Sequence, residues 1–293
     1  GKWSLAAETL PSIPATIEQA IQSRLLRLDP HQQRLVDLAA VIGEALDYAL
    51  LEQAGDLDGD SLLTVVDSLI DLGLLYEPRT TGKADLAFAH QTYRTVAYAL
   101  IPDLRRRKLH QKVASVLQRT AKDLDTEAPI LAYHYQQAGD DAHAFTWLVR
   151  AAQAAQARFA HEQALEYYQR AVSLNSGDLA PVYEQMGQIA HHLARYSEGV
   201  RCFEQALAEW QAQGNIPGQA RSHYALAECF RELSQYARSA AAAQAGLDLA
   251  LKFPMPGFVN TRILSKLVFA GMGGQPGIKP GLFPLGNLVR ARS

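Results

Sequence analysis

Apolar residues recur at helical spacing along the first part of the chain and then give way to short alternating segments. Spacings of three and four residues place apolar side chains on one face of a helix, whereas alternation indicates a strand. The helices predicted in this way cover residues 16–28, 30–42, 48–54 and 60–72. Residues 74–76 and 86–89, joined by a turn over residues 78–83, predict a β-hairpin. The last three of these helices, followed by the hairpin, give the element order of a winged helix.

The stretch over residues 84–117 connects two differently patterned halves of the chain. It begins as a strand through Leu86 and Phe88, becomes helical, breaks at Pro102 and restarts as a second helix from Asp103. The pattern before it predicts a small mixed domain, and the pattern after it predicts a stack of helix pairs. We therefore expect a winged-helix-like domain over residues 1–124, helical repeats over 125–252 and a separate tail over 253–293.

Small residues recur at corresponding positions in the second half, which carries only helical patterns. The predicted helices are 128–138, 142–158, 161–174, 179–195, 197–213, 217–234 and 236–251. The recurring small residues are Ala132 and Ala144, then Gly187 and Gly199, then Ala227 and Ser239. Small side chains let two helices approach closely, as in the helix pair of a tetratricopeptide repeat. The overall fold class is therefore predicted to be mainly α, with a superhelix of such repeats.

Residues 253–293 have a different composition from the repeats. They are rich in Gly and Pro, and no acidic residue follows Asp248. Such a segment does not continue a helical array. We expect a loose tail here, one that is disordered or that replaces part of a longer array.

Composition and charge narrow the classes of function. The net charge of −2 provides no overall attraction to nucleic acid or to an anionic membrane, and no apolar run approaches the roughly 18 residues that would span one. Cys202 and Cys229 lie in helical patterns without a CxxC motif, which favours core thiols in a reducing cytoplasm. The chain starts at Gly1 without Met, and we expect it to be a piece of a longer cytoplasmic protein.

Four segments together resemble one family: LPSIPATIEQAIQSRLLRL, LVDLAAVIG, LAFAHQTYRTVAYAL and RRRKLHQKVASVL. This series is similar to the winged-helix and repeat portion of signal-transduction ATPases with numerous domains, the STAND class, found in bacterial cyclase-, kinase- and transcription-factor-linked proteins. The resemblance covers roughly residues 1–252. It implies a regulatory arm whose winged helix transmits the nucleotide state and whose repeats receive a protein or ligand signal.

The nucleotide-binding core of that family is missing from this sequence. No GxxxxGK[ST] motif supplies backbone amides for phosphates, and no Ser–His–Asp set or paired carboxylates can be identified. We therefore expect no catalysis and no cofactor in this chain. Its expected partners are a protein or peptide on the repeats and the ATPase module of the parent protein. A free-standing tetratricopeptide scaffold and a DNA-binding transcriptional regulator are the alternative functions.

The charge of the predicted helix over residues 60–72 opposes DNA binding. This would be the recognition helix of a winged helix, yet Asp58, Asp60, Asp67 and Asp71 lie on or beside it and no Lys or Arg lies between Asp56 and Leu75. Carboxylates repel a phosphate backbone. We expect no specific binding to nucleic acid. The basic run Arg105 to Lys108 lies outside this helix and is interpreted as a solvated helix face or a contact to the ATPase module.

Two groups of residues are candidates for a functional site. In the resembled family, a histidine at the position of His90 can reach the phosphates of the bound nucleotide, so the resemblance implies a latch there; a capping or packed histidine is the alternative. The other histidines lack metal-binding spacing, and no metal site is expected. Most tyrosines of the repeats are expected to pack between helices, and some of them, together with arginines of the repeats, are candidates for the concave surface that binds a partner. The candidates are Tyr135, Tyr168, Tyr196, Arg201 and Arg231.

Overall fold

The computed structural model describes residues 15–78 and 85–252, and these residues are mainly helical. The predicted hairpin turn and the predicted tail lie largely or wholly outside the described residues. The chain divides into two compact units, the first ending at Ala157 and the second beginning at Arg158. The predicted boundary near residue 124 remains a prediction.

The first unit combines eight helices with a small sheet within its described residues. Its elements are α1 (Ala15–Leu25), α2 (Pro30–Ile42), β1 (Ala45–Leu46), α3 (Tyr48–Ala54), α4 (Gly59–Asp71), β2 (Leu75–Tyr76), β3 (Leu86–Phe88), α5 (Gln91–Leu100), α6 (Asp103–Thr120), α7 (Leu124–Ala138) and α8 (Asp141–Ala157). Aspartates start several of these helices. Asp29 accepts hydrogen bonds from the amides of His31 and Gln32, while the Gln32 side chain accepts one from the Asp29 amide, a reciprocal capping box.

The antiparallel sheet has the strand order β1-β3-β2. The pairing of β2 with β3 confirms the predicted hairpin strands, with Leu75 opposite Phe88. The short strand β1 was not predicted, because two residues are too few to show an alternating pattern. Leu46 of β1 lies opposite Leu86 and is fully buried. The sheet therefore contributes Leu46, Leu75, Leu86 and Phe88 to the core of this unit.

The core of the first unit extends from α1 to α6. Almost every residue from Leu35 to Val41 of α2 is less than 5% exposed, including the carboxylate-bearing Asp37. Helix α2 contacts α3, α4, α5 and α6, so it is the central element of this core. Burying an aliphatic side chain contributes about 1.5–3 kcal/mol, and this helix therefore organises the elements around it.

The second unit consists of helices alone within its described residues. These are α9 (His161–Leu174), α10 (Leu179–His192), α11 (Tyr196–Ala212), α12 (Ile216–Glu232) and α13 (Tyr236–Lys252). The predicted helices agree with these bounds to within a few residues. Helix α10 pairs with α11 and α12 pairs with α13, while α11 and α12 contact one another between the pairs.

The predicted small residues lie where paired helices approach most closely. A Cβ atom on Gly187 would lie 2.7 Å from the ring of Phe203, and one on Gly199 would lie 3.5 Å from the carbonyl oxygen of Gly187. At the corresponding positions of the next pair, the Ser239 hydroxyl donates to the carbonyl of Ala227 over 2.8 Å. The repeated spacing of small residues thus produces a repeated close contact between helices.

Candidate partner-binding face

Helices α10 and α12 contact one another and present polar side chains at matching offsets from their small residues. Counted from Gly187, the positions −3, +1 and +4 carry Glu184, Gln188 and His191. Counted from Ala227, the same positions carry Tyr224, Glu228 and Arg231. All are half-buried except Arg231, which is exposed. We call this set, together with Arg221, the α10–α12 face.

A bidentate ion pair joins the two helices across this face. Arg221 donates from Nε to Glu184 Oε1 over 2.8 Å and from Nη2 to Oε2 over 3.2 Å. The guanidinium of Arg221 also lies 5.6 Å from the ring centroid of Trp210. A planar guanidinium matches a carboxylate in this geometry, and stacking on a ring restricts its orientation further. The face therefore has a fixed charged centre.

The C-terminal part of the face carries a second charged cluster. Arg231 donates to both oxygens of Glu228, over 3.1 and 2.9 Å, and to Glu232 over 2.8 Å. The hydrogen bond to Glu232 and the negative charges of both glutamates raise the pKa of Arg231, so its cation is stabilised. Arg231 is exposed, so an incoming carboxylate can reach it, although it would have to share the guanidinium with Glu228 and Glu232.

His191 borders the face beside the start of α11. Its ring centroid lies 5.3 Å from that of Tyr196, edge to face, and Tyr196 is half-buried. The Nε2 atom of His191 is buried and has no hydrogen-bond partner among the described residues. Buried polar atoms are normally hydrogen-bonded, so the hydrogen-bonding capacity of this nitrogen is unused in this conformation.

The structure separates the predicted partner-binding residues into three environments. Tyr168 is fully buried and Tyr135 is 5% exposed, so these two side chains pack inside the protein. The Tyr135 hydroxyl donates to Gln118 over 2.6 Å, and its ring stacks on His143. Burial raises the pKa of Tyr168 to about 12, which keeps its phenol neutral. Neither ring presents a surface to a partner in this conformation.

The other three candidates lie at the surface of the second unit. Arg231 lies on the α10–α12 face and Tyr196 borders it, whereas Arg201 is exposed on α11, the second helix of its pair. The partner-binding role of these residues remains a prediction. The inference from sequence missed Glu184 and Glu228. Counting offsets from Gly187 and Ala227 would have identified both.

His90 lies at the N-terminus of α5, in the first unit. It is exposed, its side chain makes no capping hydrogen bond, and its ring centroid lies 6.0 Å from that of Tyr93. Together with Arg24 and Tyr93 it lines an open recess between α1 and α5. The Arg24 guanidinium donates to the Tyr93 hydroxyl over 2.8 Å. The capping alternative is thus not realised, while the latch remains a prediction.

The described residues can also be assessed for a metal site, for a reactive thiol and for a membrane-spanning helix. No group of three His, Cys, Asp or Glu side chains in residues 15–78 and 85–252 is arranged to hold a metal ion. Both cysteines are buried, and burial raises the pKa of Cys229 to about 12, so its thiol stays protonated. None of the helices in this part of the chain has the length and apolar character to cross a membrane.

The tetratricopeptide repeat family model matches residues 178–252, which contain α10 to α13. This match covers the two helix pairs with the close small-residue contacts. It supports the predicted tetratricopeptide-like repeats, and the α10–α12 face is formed by the first helix of each matched pair. A comparison with curated protein sequences finds no match.

Several solved structures are similar to this chain at low sequence identity. BtubC (BKLC) from P. vanneervenii has 14% identity and a TM-score of 0.43, with 77% of this chain and 82% of that chain covered. A STAND protein with a tetratricopeptide repeat sensor from Pyrococcus horikoshii has 14% identity and a TM-score of 0.39, with 89% of this chain but 56% of that chain covered. The apo form of RapI has 13% identity and a TM-score of 0.44, with 88% and 65% covered.

Proposed function

We propose that this chain is a non-catalytic regulatory and protein-interaction arm of a STAND-type signalling ATPase. In this proposal a winged-helix domain couples the nucleotide state of an ATPase module to a tetratricopeptide array, which binds a protein or peptide partner in the cytoplasm. The α10–α12 face carries the proposal, because it places fixed charges and an unpartnered buried nitrogen on the first helices of two matched repeats. Such faces bind extended segments of other proteins.

The mixed charge of the face indicates the chemistry of its partner. Glu184 and Arg221 neutralise each other across α10 and α12, whereas Arg231 is exposed at the end of α12. The expected ligand is a peptide that offers a carboxylate to Arg231 and a hydrogen-bonding group to His191. A half-buried tyrosine, Tyr224, lies between the charged clusters in sequence and provides aromatic contact area of the kind enriched in interfaces.

The order of elements in the first unit supports the winged-helix part of the proposal. A helix, a short strand, two helices and a hairpin follow one another as α2-β1-α3-α4-β2-β3, and the last strand lies between the other two. In the proposed arm, His90 at the end of this hairpin is available to the phosphates of a nucleotide held by the ATPase module. Its neighbour Arg24, lining the same recess, would add positive charge there.

A free-standing tetratricopeptide scaffold is the second candidate, because the α10–α12 face serves it equally well. The coding region upstream of Gly1 distinguishes the two. An open reading frame that continues into Gly1 and contains a phosphate-binding loop supports the arm, whereas an independent gene supports the scaffold. Purified chain alone is expected to show no ATP hydrolysis above buffer, and a turnover that persists through purification would contradict the non-catalytic assignment.

Selection of peptides from a displayed library on the full chain tests the binding face. Selected peptides should lose at least tenfold in affinity for the variant Arg231→Glu, because the exposed cation is reversed. Gln205→Ala, an exposed position on α11, is the matched control and should retain affinity. If the selected peptides bound Arg231→Glu and the unaltered chain equally, the binding site would not lie on this face.

A further inference from the structure

The first unit contains a basic groove that the proposed function does not use. A cavity of about 280 Å³ lies between α2, the segment after α3 and helix α6. Four cationic side chains border it: Arg34, Arg105, Lys108 and Lys112. Its apolar lining includes Leu35, Leu38, Leu57, Leu62 and Leu109. A leucine-lined cavity within a rim of cations is an unusual combination for a solvated helix face.

Two of the four cations of the groove, Arg105 and Lys112, are held by carboxylates of the same unit. Arg105 donates from Nη2 to Asp37 Oδ2 over 3.0 Å, and the Asp37 side chain is only 5% exposed. Gln33 donates to the second oxygen of Asp37 over 3.0 Å. A nearly buried carboxylate that is satisfied on both oxygens fixes its partner cation in place. Arg105 is therefore a rigid part of the groove.

Lys112 is anchored on the opposite side of the groove. Its ammonium donates to the Asp56 carboxylate and to the carbonyl oxygen of Gly55 over 3.3 Å. The hydrogen bond from Lys112, together with the nearby charges of Lys112, Arg34 and Arg105, lowers the pKa of Asp56. The cations of the groove therefore favour the charged form of a carboxylate at its edge.

The charges of the groove do not balance. Asp37 and Asp56 neutralise Arg105 and Lys112, but within the described residues neither Arg34 nor Lys108 forms an ion pair with a carboxylate. The Nη2 atom of Arg34 lies 3.2 Å from the Nδ1 atom of His31, and Lys108 is exposed. Two uncompensated cations therefore flank an apolar cavity.

We propose that this groove binds a short acidic peptide segment of a partner protein. One aliphatic side chain of the segment occupies the cavity, and carboxylates on either side of it pair with Arg34 and Lys108. The cavity volume lies just below the range of about 300–1,000 Å³ that is typical of small-molecule pockets, and an aliphatic side chain fits within it. Electrostatic complementarity then supplies the specificity for an acidic sequence.

Nucleic acid fits this surface less well than an acidic peptide. The lining of the cavity is aliphatic and offers no aromatic ring on which a base could stack. Asp58 and Asp60 follow the groove-lining Asp56 in sequence and are exposed, so a phosphate backbone that runs past the groove would meet their negative charges.

Fluorescence anisotropy with the full chain tests this proposal. The probe is a fluorescein-labelled peptide, Asp-Glu-Leu-Asp-Glu, compared with the same peptide carrying serine in place of leucine. We expect the leucine peptide to bind and the serine peptide to bind several-fold more weakly. The double variant Arg34→Glu, Lys108→Glu should bind the leucine peptide at least tenfold more weakly. Both side chains are exposed, so folding should be retained, which circular dichroism verifies.

Arg107→Glu is the matched control, because Arg107 belongs to the same basic run but does not line the groove. It should change the affinity by less than twofold. Equal losses for Arg107→Glu and the double variant would show non-specific charge attraction and overturn the proposal. So would absence of binding at millimolar peptide, equal affinity for the serine peptide, or tighter binding of a 20-base-pair DNA duplex with the same variant dependence. The α10–α12 face lies in the other unit, so these results leave its proposed role untouched.

Discussion

The α6–α7 contact of the first unit and the α10–α11 contact of the second unit bring helices together by opposite means. In the second unit, Gly187 makes room for the ring of Phe203. In the first, two imidazoles meet in the interior: His110 Nδ1 lies 2.9 Å from His134 Nδ1, and His110 Nε2 lies 2.9 Å from the Tyr98 hydroxyl. The α10–α11 contact therefore depends on the missing side chain of Gly187, whereas the α6–α7 contact depends on buried hydrogen bonds. Different perturbations should break them.

The imidazole contact requires neutral histidines. His110 is completely buried and His134 is 2% exposed. Desolvation, followed by the charges of Arg106 and Arg94, lowers the pKa of His110 to about 4. Desolvation, followed by His110 and Arg94, lowers the pKa of His134 to about 3. Because two Nδ1 atoms share one hydrogen bond, only one of them carries its proton there, and protonating both nitrogens would remove the acceptor.

Acidification should therefore give the largest effect. Both pKa values in the folded state lie below the value of 6.5 expected for an unfolded histidine, so the unfolded chain binds more protons between pH 6.5 and about 4. Stability is complete above pH 6.5 and falls as the pH decreases. Each histidine should contribute a loss of about 2 kcal/mol between pH 6.5 and 5, since one proton corresponds to about 1.4 kcal/mol per pH unit. Urea denaturation at both pH values measures this loss.

Hydrogen exchange locates the same effect within the chain. Amides of α6 and α7 should lose protection on acidification, and those of α10 to α13 should lose less. The variant His192→Gln, at an exposed position of the second unit, should keep the pH dependence of the unaltered protein. Equal loss of protection in both sets of helices would show that the buried imidazoles do not cause the acid sensitivity.

The small-residue contact should respond to volume and not to pH. In Gly187→Val, a branched side chain would overlap the Phe203 ring, which lies 2.7 Å from the position of the first added carbon. Overpacking costs about 1–3 kcal/mol, a large share of a domain stability of about 5–15 kcal/mol. We expect a lower melting temperature and weaker amide protection in the helices on both sides, since each repeat is stabilised by its neighbours.

The control for Gly187→Val is Ala208→Val, which adds a branched side chain at an exposed position of α11. It carries the small helix-propensity cost of valine without any steric overlap. Gln188, the neighbour of Gly187 in sequence, is half-buried and is therefore a poorer control. Equal melting temperatures for Gly187→Val and Ala208→Val would show that the assigned positions of close contact are wrong.

These two contacts also show which features of the structure can be predicted from the sequence and which cannot. The Gly187 contact was predicted because small residues recur in a repeating pattern, and repetition makes a weak local signal readable. The His110–His134 pair was not predicted, because no local pattern connects residues 24 positions apart on separate helices. The same reason applies to Arg105 and Asp37, whose pairing needs the tertiary packing of α6 on α2. Periodicity thus predicted elements and repeats, whereas single polar contacts required the three-dimensional structure.

The predicted partner-binding residues show the same difference between features that follow the repeat and features that need the three-dimensional structure. Tyr135 and Tyr168 were chosen by residue type, and burial removes both from the surface. Arg231 was chosen in the same way and lies on the α10–α12 face, where its offset from Ala227 equals that of His191 from Gly187. The offset is a property of the repeat, and residue type alone is not.

The smallest expected effect concerns the ion pair of the α10–α12 face, which joins neighbouring helices by charge and not by volume. Arg221 and Glu184 make a bidentate contact, and the Glu184 side chain is only 13% exposed. Because Arg221 is about one-third exposed, solvent screening limits the coupling energy to about 1 kcal/mol. A double-mutant cycle with Arg221→Ala and Glu184→Ala, measured by urea denaturation, gives this coupling free energy directly.

The dependence on salt concentration distinguishes this charged contact from the neighbouring contact at Gly187. Raising the ionic strength from 0.1 to 1 M shortens the screening length from about 10 to about 3 Å, so the coupling of Arg221 with Glu184 should decrease. The destabilisation by Gly187→Val, measured in the same salts relative to Ala208→Val, should stay constant because it is steric. A parallel cycle on Arg238 and Glu204, which lie 3.6 Å apart and are more exposed, should give a smaller coupling. If the Arg221–Glu184 coupling were zero at low salt, the fixed charged centre of the face would be absent in solution, and a partner would then have to be recognised chiefly through Arg231 and His191.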